Sequence, residues 1–179
     1  MDQYYTMKIA GLERKLKKFP VSDDLDIAAF ILLGDTELTV RCAAELLKKL
    51  PDFDIIFTPE AKSIPLAHEM SRQSGKPYVV ARKGKKVYMG NPIEVSVRSI
   101  TTDHEQKLFL GEDDVAVLKD KRVVVLDDVI STGESLLATQ ELLKMAGGKE
   151  VAACAVLAEG SAAKRSDIIF LEPLPLFFK

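Results

Sequence analysis

Between positions 123 and 136 the chain reads VVVLDDVISTGESL. Four apolar residues run straight into two adjacent aspartates, and Ser-Thr-Gly follows before the pattern turns helical. Val123–Leu126 has the unbroken apolar character of a strand buried on both faces, as in a parallel sheet. Ser135 to Ala146 reads as a helix stopped by Gly147-Gly148. The residues between them therefore lie past the carboxyl end of a buried strand, where open α/β sheets bind their ligands. Adjacent carboxylates repel each other, so such a fold needs a use for both Asp127 and Asp128.

Ser131, Thr132, Gly133, Glu134 and Ser135 fall at the start of the helix. Free backbone N–H groups and the helix dipole favour an anion there. Gly133 permits a tight turn with close backbone approach. The hydroxyls at 131, 132 and 135 add donors. Acceptor-only groups beside a phosphate suit the vicinal hydroxyls of a sugar, or Mg²⁺ held through them. A phosphate next to a diol describes a ribose 5-phosphate. A helix cap by itself needs one side-chain oxygen, which leaves two carboxylates and a glycine unexplained.

The rest of the chain alternates strand and helix signals. Thr36–Leu50 has helical period, with Leu38, Cys42, Leu46 and Leu47 on one face. Asp54–Phe57 is a short apolar run ending at Thr58-Pro59, residues 61–74 read as a helix ended by Gly75, and Tyr78–Ala81 is a further strand. Val151–Leu157 and Ile168–Leu171 supply two more. This order predicts an α/β fold with a central, mostly parallel sheet and helices on both faces. Residues 6–19 read as an amphipathic helix through Ile9, Leu12 and Leu16, and Leu25–Leu33 as β-capable, together a small N-terminal hood over about 1–35. Ile93, Val95 and Val97 alternate with Glu94, Ser96 and Arg98 after the turn Gly90-Asn91-Pro92. That two-residue period, with Lys107–Leu110 as partner, predicts a β-hairpin arm projecting from the core over about 83–110.

At 179 residues a single domain over 1–179 is expected. A net charge of −2 points to neither nucleic acid nor an anionic membrane as partner. Cys42 and Cys154 lie in apolar periodic segments and read as reduced core residues without metal-ligand spacing. His68 and His104 have no partner spacing for metal binding or nucleophilic catalysis. No stretch reaches the ~20 apolar residues of a membrane span, and the N-terminal segment lacks a signal-peptide pattern. A cytoplasmic protein is expected.

The string from Val123 to Ser135 resembles the signature of type I phosphoribosyltransferases: four apolar residues, two acidic, two apolar, a small residue, Thr, Gly, any residue, and Ser or Thr. Length and strand order match as well, and the likeness is greatest to the purine branch containing the adenine and xanthine enzymes. The resemblance implies displacement of pyrophosphate from phosphoribosyl pyrophosphate (PRPP) by a purine nitrogen, with Mg²⁺ on the PRPP and a homodimeric assembly. Adenine is the favoured base, giving AMP. A xanthine or other 6-oxopurine enzyme, and a PRPP-binding regulator without catalysis, are the alternatives.

By that resemblance Asp127 and Asp128 hold the ribose hydroxyls near Mg²⁺, Ser131–Ser135 hold the 5′-phosphate, and Val129 packs beneath the base. Ala61, Lys62 and Ser63 match the pyrophosphate loop, joined by Arg82 and Lys83, which the resemblance makes catalytic through contact with the leaving group. Lys85, Lys86 and Tyr88 fall in the mobile catalytic loop. Base recognition is expected from Ala28 to Asp35, where Phe30 either stacks on the purine or fills the core. Ser131 stands where hypoxanthine-guanine relatives carry an aspartate, and Ser99 where adenine enzymes carry a glutamate. Glu134 replaces a common glycine and fits only with its side chain turned outward.

Overall fold

The computed structural model describes residues 3–98 and 105–179. In chain order the elements are β1 (Tyr4–Ile9), β2 (Leu12–Ser22), β3 (Leu25–Ala28), α1 (Thr36–Lys49), β4 (Ile55–Pro59), α2 (Ile64–Ser74) and β5 (Tyr78–Ala81). A short 3₁₀ turn, Val87–Met89, precedes β6 (Ile93–Arg98) and β7 (Glu105–Leu110). Then come α3 (Glu112–Leu118), β8 (Arg122–Ile130), α4 (Glu134–Met145), β9 (Lys149–Glu159), a second 3₁₀ turn (Gly160–Lys164), β10 (Ile169–Leu174) and β11 (Phe177–Phe178).

The central sheet has the order β10-β9-β8-β4-β5, with every pairing parallel. Its middle strands are apolar because both faces are covered: all of β4 and Val123–Leu126 of β8 are buried. On one face α1 and α2 pack through Leu38, Cys42, Leu46, Leu66 and Met70. On the other α4 packs through Leu136, Leu142 and Leu143, joined by Leu118 of α3. Both cysteines are buried and free, and burial pushes the Cys42 thiol up to about 12. No helix among the described residues is long and apolar enough to cross a membrane.

The hood is where the sequence expectation fails. Residues 6–19 form no helix; they are the hairpin β1–β2, which pairs onward with β3 and β11 in a four-stranded antiparallel sheet. The loop is the two-residue Ala10-Gly11, with φ of 49° and 83°, the mirror-image turn that matches strand twist. Met7, Ile9 and Leu16 turn inward onto the α1–α2 core while Lys8, Lys15 and Lys17 stay in solvent. Ile9, Leu12 and Leu16 share both a helical spacing and one face of this folded-back ribbon, so periodicity alone misassigned them.

In the arm β6 and β7 pair antiparallel as anticipated. Val95, Leu108 and Leu110 are buried against the α4 side of the sheet, and Arg82 bridges to Phe109. Ser99 and His104 lie outside the described residues.

Candidate active site

Three loops meet at the carboxyl edge of the central sheet because β4, β5 and β8 run parallel and end there. They are the segment after β4, the Arg82-Lys83 pair after β5, and the loop joining β8 to α4. Between them lies a cleft of about 460 Å³, lined by Ala61–Ser63, Lys83, Asp127–Ser135 and Leu108 of the arm.

Asp127 and Asp128 occupy its floor. Asp128 is 2% exposed, and its Oδ2 lies 2.9 Å from Lys62 Nζ. The Asp128 backbone N–H donates to Asp127 Oδ1 at 2.8 Å. Ser135 Oγ donates weakly to Asp127 Oδ2, at 3.4 Å. Burial, and then the charge of Asp128, push the Asp127 carboxyl up to about 7. The repulsion expected of neighbouring carboxylates is thus retained, and Lys62 offsets it from across the cleft.

The β8–α4 loop takes the form the sequence suggested. Gly133 adopts φ 86° as the residue preceding α4, and its carbonyl accepts the helix's first bond, from Leu137 N–H at 2.9 Å. The first-turn N–H groups ahead of that bond have no helical acceptor, and the Glu134 N–H meets Thr132 Oγ1 at 3.5 Å. Ser131, Thr132 and Ser135 are exposed, Glu134 is half-exposed, and all of them line it. Val129 lines it as well.

After β4, Ala61 and Lys62 are exposed to the cleft, whereas Ser63 is 1% exposed and its hydroxyl points inward. Ser63 Oγ lies 2.8 Å from Thr58 Oγ1 and 3.2 Å from Pro59 O, and Thr58 Oγ1 lies 2.9 Å from the Leu126 carbonyl. A hydroxyl carries one proton, so Thr58 donates to Leu126 O and accepts from Ser63. Sequence reading missed Thr58. A threonine in a short apolar strand carries no local sign that a strand far along the chain will present a carbonyl to it.

Arg82 and Lys83 part ways. Lys83 lines the cleft. The Arg82 guanidinium is turned to Glu60, with Nε 3.1 Å from Oε2, and to the Tyr88 hydroxyl at 2.8 Å. Glu60 also accepts the Lys83 N–H at 3.0 Å, and these two bonds hold its carboxyl below the usual range. Lys85 and Lys86 are exposed, and Tyr88 is 71% exposed. Phe30 is 4% exposed within the α1–α2 core with Leu32 and Leu38, so it does not reach the cleft; the expected stacking role falls to no hood aromatic at that position. Among the described residues no group of three His, Cys, Asp or Glu side chains is placed to hold a metal by itself.

Residues 34–174 match the phosphoribosyl transferase domain model. The hypoxanthine/guanine phosphoribosyltransferase of Methanocella arvoryzae is 31% identical over 145 residues, 81% of this chain and 70% of the relative. That of Methanothermobacter thermautotrophicus is 36% identical over 126 residues, 70% of this chain and 58% of the relative. The crystal structure of adenine phosphoribosyltransferase from Thermoanaerobacter pseudethanolicus superposes with a TM-score of 0.74 at 21% identity, over 88% of this chain and 95% of that one. The Saccharomyces cerevisiae adenine enzyme, solved with adenine and an imino-altritol bisphosphate, gives 0.69 at 18% identity, over 88% and 92%. These likenesses in shape establish the fold. The chain belongs to the phosphoribosyltransferase family and is a transferase of that class.

Proposed function

We propose that the protein is a purine phosphoribosyltransferase that moves the 5-phosphoribosyl group of PRPP onto a 6-oxopurine, hypoxanthine or guanine, and releases pyrophosphate. The observation that carries the reading is that the Asp127-Asp128 pair and the α4 loop face Lys62 and Lys83 across one cleft. The names of the relatives above 30% identity support the 6-oxopurine. Adenine is the second reading, because Ser131 replaces the aspartate expected of a hypoxanthine-guanine enzyme and both solved structures given above are adenine enzymes.

In this mechanism the α4 loop anchors the 5′-phosphate through N–H groups and the hydroxyls of Ser131, Thr132 and Ser135. Asp127 and Asp128 accept from the ribose hydroxyls and so fix the sugar. The bond from ribose C1 to the pyrophosphate oxygen breaks, its electron pair leaving with pyrophosphate, and a purine nitrogen bonds to C1 while its N–H proton passes to solvent or to the departing pyrophosphate. Negative charge grows on the leaving group, and Lys62 and Lys83 lie where that charge develops. Buried, hard carboxylates beside the sugar fit Mg²⁺, which binds through one or two carboxylates plus substrate oxygens. When bound with PRPP it would neutralise phosphate charge. Lys85, Lys86 and Tyr88 would close over the cleft and exclude water. The proposal takes the enzyme to be a cytoplasmic homodimer.

The test is pyrophosphate release from Mg²⁺-PRPP with hypoxanthine, guanine, xanthine, adenine and uracil, against an Asp127→Asn/Asp128→Asn control. Turnover of hypoxanthine or guanine, lost in the control, is expected. Turnover of adenine alone transfers the assignment to the second reading. Saturable PRPP binding with no turnover of any base would leave a regulator.

A further inference from the structure

We infer that Arg165 is an additional phosphate-binding residue, presenting a guanidinium N–H edge to the β8–α4 loop at Gly133. The inference rests on the proposed function in taking that loop as the 5′-phosphate site. Arg165 follows the 3₁₀ turn Gly160–Lys164 that leaves β9, and β9 is the sheet neighbour of β8. The turn after one strand therefore lies beside the loop after the other.

Two donors of the guanidinium are spent on Asp167. Nε lies 2.9 Å from Oδ1 and Nη2 lies 2.7 Å from Oδ2. Paired bonds of this kind fix the plane of an arginine as well as its charge. The remaining nitrogen, Nη1, has no hydrogen-bond partner among the described residues. It stands 2.7 Å from the point a Cβ on Gly133 would occupy. Gly133 is buried although Thr132 beside it is exposed, and the Arg165 side chain retains 29% exposure. The guanidinium is thus laid against the β8–α4 loop at Gly133 and keeps part of its surface in solvent.

The electrostatics of this edge give that placement a purpose. The loop's own residues supply no cation, and Glu134 adds a negative charge to it. Asp127 and Asp128 adjoin, and Lys62 is engaged with Asp128. A phosphate dianion entering such a loop meets net negative charge unless a cation stands outside it. Arg165 brings a guanidinium donor to the loop, and Asp167, whose charge partly offsets it, is its positioning residue. Position 133 must then be glycine for two reasons, the left-handed φ and the room Nη1 needs.

Two probes separate this role from plain loop packing. Ribose 5-phosphate carries the phosphate that the loop would hold, and inorganic pyrophosphate occupies the other end. Both are titrated calorimetrically with Mg²⁺ into wild type, Arg165→Gln, Arg165→Lys and Asp167→Asn. Arg165→Gln should weaken ribose 5-phosphate about 10- to 100-fold, the worth of a hydrogen bond to a charged group, and leave pyrophosphate unchanged. Arg165→Lys keeps the charge and Asp167→Asn only frees the fork, so both should lose less. They also carry the test if the glutamine variant fails to fold. Ribose 5-phosphate binding should depend less on salt in Arg165→Gln than in wild type. Equal ribose 5-phosphate affinity in wild type and all three variants would overturn the inference while leaving the function standing. Parallel losses for both probes would reduce Arg165 to a packing role and overturn it too. Wild type that binds no ribose 5-phosphate would overturn the function itself.

Discussion

The two ends of the cleft are built differently. The α4 end presents backbone N–H groups and small hydroxyls on a loop shaped by Gly133, with Arg165 laid against it. At the other end the positive charge is carried by the flexible side chains of Lys62 and Lys83. A phosphate that stays bound throughout the reaction is served by a rigid cradle, which needs no reorganisation. A leaving group gains charge and then departs, and mobile cations can follow it. The two ends are tied beneath the cleft by the buried chain Ser63–Thr58–Leu126 O.

Removing what lies between the ends has the largest expected effect. Asp127→Asn/Asp128→Asn discards two charged acceptors, each worth about 1.5–3 kcal/mol, and should lower kcat/KM by about 10²–10⁴-fold. Initial rates of pyrophosphate release check it. Lys83→Ala should come next, cutting kcat by about 10²-fold with ribose 5-phosphate affinity retained. If ribose 5-phosphate binding falls equally, the two ends are not functionally distinct.

Gly133→Ala probes the rigid end. The left-handed backbone costs a residue with a Cβ about 1–2 kcal/mol, or about 2–8 °C in Tm, and Arg165 must move aside. A raised KM for PRPP with kcat little changed is expected. Thr58→Val removes the donor to the Leu126 carbonyl and leaves Ser63 only Pro59 O to bond, a penalty of about 1–3 kcal/mol. It should loosen both ends together, so both probes should bind more weakly while Thr58→Ser restores them.

The buried acidic pair also makes stability depend on pH. The Asp127 carboxyl has a folded value raised to about 7 from 3.8. The native state therefore holds its proton more tightly than the unfolded chain. The stability gained is complete below the unfolded value and is lost as pH rises through about 7. Without ligand, Tm should fall between pH 5 and 8, and Asp127→Asn should flatten that slope. A thermal melt series on both proteins decides it.

Much of the site was legible because its logic is local. A buried strand, an acidic pair, three hydroxyls and a glycine before a helix are contiguous, and strand and helix lengths follow from one pattern. The basic pair after Ala81 and the lysine after Pro59 were singled out by the family resemblance. Other features were not. The segment 6–19 has lysines and aliphatics at spacings that suit a helix or a hairpin, and in the hairpin Met7, Ile9 and Leu16 all join the core that α1 and α2 line. Phe30 had two plausible destinations, and the apolar layer beneath the hood claimed it.

By itself the sequence determined the α/β alternation, the acidic pair and the anion loop, because each depends on residues a few positions apart. Only the tertiary structure decided that Arg82 turns to Glu60 and Tyr88 while Lys83 faces the cleft, that the base of the arm packs on α4, that Thr58 meets Ser63 and the Leu126 carbonyl, and that Arg165 lies against Gly133. Those outcomes depend on atoms brought together from distant parts of the chain, with partners that spacing along the sequence does not encode.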